Sequence, residues 1–523
     1  MIIIMLLTNK GNLCQGKTML KKLTICFFII TNFILSCSGK TDKKRTLTEE
    51  PLINSRPNII FILTDDQALI EISHMKHTKT LLANEGLTFK NHFVTDSLCC
   101  PSRTSILTGQ YVHNHGVKSN GGKIGGFYTF RKRKLEKETI GYYLKKSGYR
   151  TVLLGRVMNG YNSHNTKYFL PGWDEWYSFS PKYYKGKPRH DGKYFNYALN
   201  QNGKLIKYGS KPKDYQTDVF SRLTVDFIHR QNTKKQPFFI YLAPYAPHLP
   251  MTSADRHKNM LNKIKVPRTP SFNEKDISDK PAWVQGQPIM SKVKIKRLDK
   301  KYQGATRMLL AVDEMVLKIV NKLREKGILE NTYIIFTSDN GRRWGAHRFP
   351  GGKLSAYEED IRVPFFMRGP GLKKGQIIDE LTLNIDFFPT FMQLAKAPIP
   401  VKVDGRSLVP IVHKVNNKPL NWRNSFLIEH WPPPNRQYWK KKKIPPHYFG
   451  IRTKNYKYVE YESKEKLSNL NRELYDLKKD PYEMNNIYNI ANKQLVKQLK
   501  SQLNLLKVCK GKGCKNAENK RIP

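Results

Sequence analysis

The sequence predicts an α/β protein with a large, mostly parallel central sheet flanked by helices, plus a smaller C-terminal α+β domain with an antiparallel sheet. Three observations carry this. Continuous apolar runs rich in β-formers, at 59–63, 237–243 and 333–338, read as strands buried on both faces, as in a covered parallel sheet. Amphipathic stretches at 215–231 and 302–326 separate them, giving the alternation that βα units require. Beyond Asp404-Gly405-Arg406-Ser407-Leu408 the pattern changes to shorter strands broken by proline and lysine runs.

At 523 residues the chain exceeds one ordinary core, so a large and a small domain are expected. The boundaries read as 1–37 for upstream residues and a signal segment, 38–55 for a polar tether, 56–412 for the large domain and 413–523 for the small one. A hydrophobic content of 39%, with 27 Tyr and 25 Phe, excludes a disordered chain. The formal net charge of +50 raises a polyanionic partner. Zinc-finger spacing, RNA-binding aromatic signatures and heptad basic regions are all missing, so nucleic acid is not the expected polyanion.

Taken in order, Met19-Leu20-Lys21-Lys22 is a positive start, and 23–35 an apolar stretch of signal-peptide length. Ile34-Leu35-Ser36-Cys37 is similar to the lipobox of bacterial lipoproteins, with Cys37 as the acylated residue. This predicts an exported protein held in a bacterial envelope, periplasmic or at the cell surface, by an N-terminal lipid anchor in the membrane, with an ordinary cleaved signal peptide or a single anchor helix as the alternatives. The strand at 59–63 ends in Thr64-Asp65-Asp66-Gln67, and the one at 333–338 ends in Asp339-Asn340-Gly341. Carboxyl ends of buried parallel strands are where α/β sheets build their sites. Adjacent carboxylates repel unless a hard cation such as Ca²⁺, with Mg²⁺ as the alternative, neutralises them. Taken alone, Asp65-Asp66 reads almost as well as a helix cap; the two pairs together favour one shared ion.

Between these pairs lies Cys99-Cys100-Pro101-Ser102-Arg103-Thr104-Ser105-Ile106-Leu107-Thr108-Gly109, a loop entering a helix. A nucleophile there sits near free N–H donors and the positive end of the dipole, and Arg103 one turn on can fork onto an anion. A helix is expected over 135–146 and a strand over 149–154, ending at Gly155-Arg156. Residues 160–213 show little periodicity and read as long insertions near the site. His248 stands between prolines past the strand 237–243, an arrangement as common for structural as for catalytic histidines. In the C-terminal part, 426–429 and 448–460 read as strands and 492–508 as a helix. Cys509 and Cys514 in Cys-Lys-Gly-Lys-Gly-Cys suit a local disulfide; a zinc site is not expected, since two thiols are half a set.

Together these motifs resemble the type I, formylglycine-dependent sulfatases, in the family's order and over nearly the whole exported part. The stretch from Cys99 to Gly109, Asp65-Asp66, Ser338-Asp339-Asn340-Gly341, and Lys353 before Tyr357-Glu358-Glu359-Asp360-Ile361-Arg362-Val363-Pro364 carry the likeness. Leu98-Cys99-Cys100, His113-Asn114-His115 and Pro270-Ser271-Phe272-Asn273 place it nearest the N-acetylglucosamine-6-sulfatases and heparan 6-O-endosulfatases. The resemblance implies an alkaline-phosphatase-like sandwich and a sulfuric ester hydrolase. It implies that a maturation enzyme, the formylglycine-generating enzyme, oxidises Cys99 to formylglycine, whose hydrate attacks sulfur. It further implies that Asp65, Asp66, Asp339, Asn340 and the converted Cys99 hold Ca²⁺. Arg103 and Lys353 would then bind the hydrate and the sulfate, and His248 would protonate the leaving oxygen.

One departure stands out. Many sulfatases carry Gly-Lys-x-His where this chain has Gly155-Arg156-Val157-Met158. Arg156 keeps the charge and is expected on the substrate, but Met158 cannot act as base; His115 is the candidate replacement, and His347 a further substrate contact. Trp431, Tyr438 and Trp439 suit stacking on the sugars of a sulfated polysaccharide or oligosaccharide, or equally packing between the domains. Two rival readings remain at this stage: a formylglycine-dependent phosphodiesterase or phosphonate monoester hydrolase, and an inactive lipid-anchored glycan-binding protein.

Overall fold

The computed structural model describes residues 56–161, 168–180, 193–232, 236–413, 421–432, 444–462 and 471–522. Cys37, Tyr438 and Trp439, and the lysine run at 440–443, lie outside the described residues.

The larger part contains β1 (Asn58–Thr64), β2 (Leu87–Phe89), β3 (His92–Phe93), β4 (Arg150–Gly155), β5 (Glu175–Phe179), β6 (Ala198–Gln201), β7 (Lys204–Lys207), β8 (Phe238–Ala243), β9 (Thr332–Ser338), β10 (Phe365–Arg368), β11 (Gln376–Ile378) and β12 (Thr382–Leu383). Ten of them form one sheet in the order β11-β2-β10-β9-β1-β8-β4-β5-β6-β7, while β3 and β12 pair separately. The centre, β9-β1-β8-β4-β5, is parallel. Antiparallel partners finish it on both sides: β10 against β9, and β6 and β7 beyond β5.

Alternation along β1 shows how the layers form. Ile59, Phe61 and Leu63 face one core with Ile106 and Leu107 of the Cys99–Thr108 helix and with Phe387 and Phe391. Ile60 and Ile62 face the other core with Val219 and Phe220 of the Gln216–Arg230 helix and Met308, Val312 and Ile319 of the Lys292–Glu325 helix. Helices on both faces leave every strand residue of β1 buried, which is why 59–63 is apolar throughout. Each such side chain contributes about 1.5–3 kcal/mol on burial.

Three expectations are corrected. The described residues of 160–213, read as long insertions, contain the strands β5, β6 and β7, which extend the central sheet. The signal was the Asn202-Gly203 turn, whose φ values of 50° and 93° make the two-residue hairpin joining β6 to β7. The helix expected over 135–146 is divided at Thr139 into a 3₁₀ turn, Leu135–Glu138, and a helix, Ile140–Lys146, because the Thr139 side chain caps the second by accepting the Tyr142 N–H. The long helix begins at Lys292, ahead of 302, where Ser291 caps it by accepting the Lys294 N–H.

The C-terminal part forms an antiparallel sheet, β13 (Ser425–His430), β14 (Tyr448–Thr453), β15 (Tyr456–Tyr461) and β16 (Arg472–Asp476), in that order. Leu499, Leu503 and Leu506 of the Lys493–Leu506 helix share one core with Phe426, Ile451 and Tyr458 of this sheet and with Phe93, Ile361 and Leu383 of the larger part. A buried ion network joins the same regions: Arg423 pairs with Asp386 and Glu518, and Tyr111 donates to Glu518 at 2.6 Å. No helix of the described residues is long and apolar enough to cross a membrane.

Candidate active site

The parallel registers bring the carboxyl ends of β9, β1, β8 and β4 to one edge, with Thr64 beside Ser338 and Gly155 beside Ala243. The residues that follow each strand are therefore neighbours: Asp339-Asn340, Asp65-Asp66, the His248 loop and Arg156. Gly155 lets β4 end there. Its φ is +107°, and a Cβ would lie 2.1 Å from the Ala243 carbonyl oxygen.

Above this edge stands the Cys99–Thr108 helix, with every residue buried. Pro101 falls in its first turn, where the missing N–H costs no hydrogen bond, and Gly109, at φ 69°, ends it. Cys99 and Arg103 are four residues apart and so share the face that looks onto the strand ends. Cys99 Sγ lies 3.9 Å from Asp65 Oδ1, 3.8 Å from Asp66 Oδ1 and 2.7 Å from Lys353 Nζ. Arg103 Nε donates to Asp339 Oδ2 at 2.8 Å, and its guanidinium reaches Asp65 at 3.3 Å.

Carboxylate oxygens of Asp65, Asp66 and Asp339 lie within 4.8 Å of one another. Asn340 joins them, donating from Nδ2 to Asp66 Oδ1 at 2.8 Å and turning Oδ1 toward Lys353 Nζ at 3.2 Å. Asp66 takes a φ of 64°, which lets its own N–H reach Asp339 Oδ1 at 3.0 Å. Four cations surround the cluster: Arg103, Arg156 paired with Asp65, and Lys353 and Arg342 paired with Asp66. Four positive groups already outnumber three carboxylates, so charge alone does not call for a metal. The donor set does fit one: buried carboxylate and amide oxygens suit a hard divalent cation.

Burial works against ionised Asp65 and Asp66, but Arg156 at the first and Lys353 at the second hold both below the usual carboxylate range. Asp339 is shifted upward by burial and by Asp65. Burial pushes the Cys99 thiol up to about 12, against Arg156 and Lys353, so an unconverted Cys99 is a thiol at neutral pH. His248 Nε2 stands 3.8 Å from Asp66 Oδ2, and its Nδ1 is 2.7 Å from the Leu249 carbonyl oxygen. Desolvation, resisted by Asp65 and Asp66, lowers its pKa to about 4.

Two expected roles do not fit the geometry. His115 is buried with both ring nitrogens engaged, Nε2 with Ser105 Oγ at 3.0 Å and Nδ1 accepting the Val117 N–H at 3.1 Å. It braces the turn after the Cys99 helix and has no free nitrogen for a base. His347 is fully buried, its Nδ1 2.6 Å from Glu274 Oε2 and its ring stacked on Tyr357 at 4.1 Å, so its contacts lie with Glu274 and Tyr357 and not with the carboxylate cluster. Met158, where a histidine is usual, packs in the main core. The Trp431 ring is flanked by Lys118 Nζ at 4.5 Å and the His447 ring at 5.1 Å, neither of which belongs to the carboxylate cluster. Cys509 and Cys514 are bonded to each other.

Sequence reasoning missed four residues. Arg342 donates to Asp66 Oδ2 at 3.1 Å, and its place just after Asp339-Asn340-Gly341 was the available signal. Lys193 Nζ is 3.3 Å from His248 Nδ1, but one lysine in a lysine-rich stretch offered no signal. Tyr245 lies under both Arg156 and Lys193, at 5.0 and 5.1 Å, and Asn159 accepts from Arg156.

The sulfatase family profile matches residues 57–397, and a profile described as the C-terminal part of N-sulphoglucosamine sulphohydrolase matches 345–508. The chain is 37% identical over 421 residues to an extracellular sulfatase Sulf-1 homologue of Caenorhabditis elegans, spanning 78% of this chain but 56% of that one. It is 32% identical over 490 residues to the N-acetylglucosamine-6-sulfatase of Homo sapiens, covering 88% and 86%. Among solved structures, one described in complex with its substrate D-glucosamine-2-N,6-O-disulfate superposes with a TM-score of 0.69 at 25% identity, covering 89% of this chain and all of that one.

Proposed function

The chain belongs to the sulfatase family, and from that premise we propose that it hydrolyses sulfate esters of a sulfated polysaccharide or its oligosaccharides, favouring a 6-O-sulfated hexosamine. The supporting observation is Cys99 packed against an all-oxygen cluster and four cationic side chains at one sheet edge. The substrate class rests on the names of the human and nematode relatives and of the solved neighbour's ligand.

The family generally uses a formylglycine and a divalent metal. We assign the formylglycine to position 99, where its hydrate supplies the oxygen nucleophile that a buried thiol cannot. Asp65, Asp66, Asp339 and Asn340 would hold Ca²⁺, an ion that lowers the pKa of a nearby hydroxyl and offsets sulfate charge when bound. Lys353, already in contact with position 99, donates to the nucleophile or to a sulfate oxygen. Arg103, fixed by Asp339, and Arg342, on the far side of Asp66, steady negative charge on the sulfate. His248 donates Nδ1–H to the Leu249 carbonyl, so Nε2 would protonate the departing sugar oxygen from the imidazolium form, which the neighbouring Asp65 and Asp66 carboxylates favour against desolvation. With His115 committed elsewhere, His248 Nε2, left bare by that transfer, would also accept the remaining formylglycine hydroxyl proton as the sulfate departs and the aldehyde re-forms.

Export with a lipid on Cys37 rests on the sequence of residues 19–37 alone; Cys37→Ser should move the protein from the membrane fraction to the soluble one. The activity itself is tested on protein purified after maturation. The peptide containing Cys99 should be about 18 Da lighter than its cysteine form. The same protein should release sulfate from 6-O-sulfated glucosamine oligosaccharides, stop after chelation and recover with Ca²⁺. Cleavage of an aryl phosphate diester in preference to an aryl sulfate would overturn the reading in favour of a phosphodiesterase.

A further inference from the structure

Lys353 and the three residues after it belong to neither a strand nor a helix, so no ladder holds their backbone. Lys353 Nζ is nevertheless placed 2.7 Å from Cys99 Sγ, and Leu354 beside it takes a φ of 91°. A non-glycine residue keeps such a conformation only where its surroundings impose it. Here four consecutive main-chain carbonyls each accept from a side chain. Arg343 Nη2 reaches the Lys353 carbonyl at 2.9 Å, the Tyr448 hydroxyl that of Leu354 at 2.9 Å, Ser97 Oγ that of Ser355 at 2.9 Å and Lys457 Nζ that of Ala356 at 2.6 Å. Arg343 and Ser97 belong to the larger part, whereas Tyr448 opens β14 and Lys457 lies in β15 of the C-terminal sheet. One residue on, Tyr357 donates to Glu473 of β16 at 2.6 Å.

Tyr448 is fully buried, its ring centroid 5.5 Å from that of its cross-strand neighbour His430 and 5.4 Å from that of its other neighbour, Tyr461. That packing fixes where the hydroxyl stands. We propose, resting on the role given above to Lys353, that the C-terminal sheet positions this lysine and that Tyr448 is the central positioning residue. Its hydroxyl holds the positive φ at Leu354, and that bend sets where the lysine ammonium meets position 99. Tyr448 acts through the loop backbone, not on the ester. Without the hydroxyl, the Leu354 carbonyl loses its donor and the strained φ its support, so Lys353 shifts. A displacement of about 1 Å from the productive geometry can cost about 10²-fold in rate. The ring, kept in Tyr448→Phe, still fills its place between His430 and Tyr461.

The test uses the matured full-length protein as wild type, Tyr448→Phe, Lys353→Met and the double variant, assayed on 4-nitrophenyl sulfate, which brings no glycan to the C-terminal sheet. The expected result is a kcat about 10- to 100-fold lower in Tyr448→Phe, with KM changed by less than about twofold. Added to Lys353→Met, the same change should cost less than about twofold more, because the hydroxyl then has no ammonium to place. Hydrogen exchange read by mass spectrometry should quicken in the peptide covering 353–357 and stay as it was in β1 and the Cys99–Thr108 helix. An equal loss of kcat on both backgrounds overturns the proposal, since the hydroxyl would then serve the fold at large. An unchanged kcat in Tyr448→Phe overturns it too, as does a Tyr448→Phe chain that does not fold. Full activity in Lys353→Met would overturn the role of Lys353 itself, and the positioning role with it.

Discussion

At Asp66 the backbone adopts φ 64°, a left-handed conformation that costs a non-glycine residue about 1–3 kcal/mol. The hydrogen bond from its N–H to Asp339 and the pairing of its carboxylate with Lys353 and Arg342 hold it there. The site is therefore a set of mutually supporting charges, and single removals should be felt in the chemistry more than in the fold. Lys353→Met should lower kcat by about 10²–10³-fold, the usual cost of losing one preorganised cation at a developing charge, with the circular dichroism spectrum unchanged. His248→Gln should cost about 10²–10⁴-fold on a sugar sulfate and much less on 4-nitrophenyl sulfate, whose leaving group needs no proton; equal losses on both would refute its role as acid. Asp65, Asp66, Arg156, Asp339 and Asn340 were legible because each follows a strand end, and Cys99 and Arg103 because they lie in one motif; Lys353 rested on the family resemblance alone, and Arg342 was missed. Lys193 was not legible, because nothing in its own lysine-rich stretch marks it as a neighbour of His248. His115 was misjudged because spacing cannot tell a histidine aimed at a substrate from one that bonds Ser105 and Val117.

Among elements, the central strands were readable because burial on both faces removes every polar residue from 59–63 and 238–242. Strands β5, β6 and β7 were not, since they are only 5, 4 and 4 residues long and β7, at the edge of the sheet, is mostly exposed and keeps no apolar face. The Asn202-Gly203 turn marked that hairpin more clearly than the strands it joins. Gly155 is where sequence and packing meet. Gly155→Ala must accept both a positive φ and a Cβ 2.1 Å from the Ala243 oxygen, so a loss of at least about 1–3 kcal/mol is expected, read as a lower urea midpoint. Because that residue sets where Arg156 leaves the sheet, activity should fall further than stability predicts.

The whole molecule carries a formal net charge of +50, and such a field draws polyanions over distances that salt screens. Raising ionic strength from 0.05 to 0.3 M should lower kcat/KM on a long sulfated polysaccharide by about tenfold and leave a small aryl sulfate nearly unaffected; parallel losses would show that the charge is only a solvated surface. Stability has its own pH signature in Glu71, which burial pushes up to about 7. Because an unfolded glutamate titrates near its ordinary value, the native state binds the extra proton between about pH 4.5 and 7, and stability falls as pH rises across that window, by about 3 kcal/mol. Glu71→Gln should flatten this slope in urea unfolding. The central claim, that two strand ends and the Cys99 helix make a single metal-dependent ester hydrolase centre, is tested most directly by measuring bound calcium and sulfate release together in the matured wild type and in Asp339→Ala. The account predicts one tightly held ion and sulfate release from a 6-O-sulfated glucosamine oligosaccharide in the wild type, both lost in the variant; a variant that stays folded, binds no calcium and still releases sulfate at the wild-type rate would contradict it.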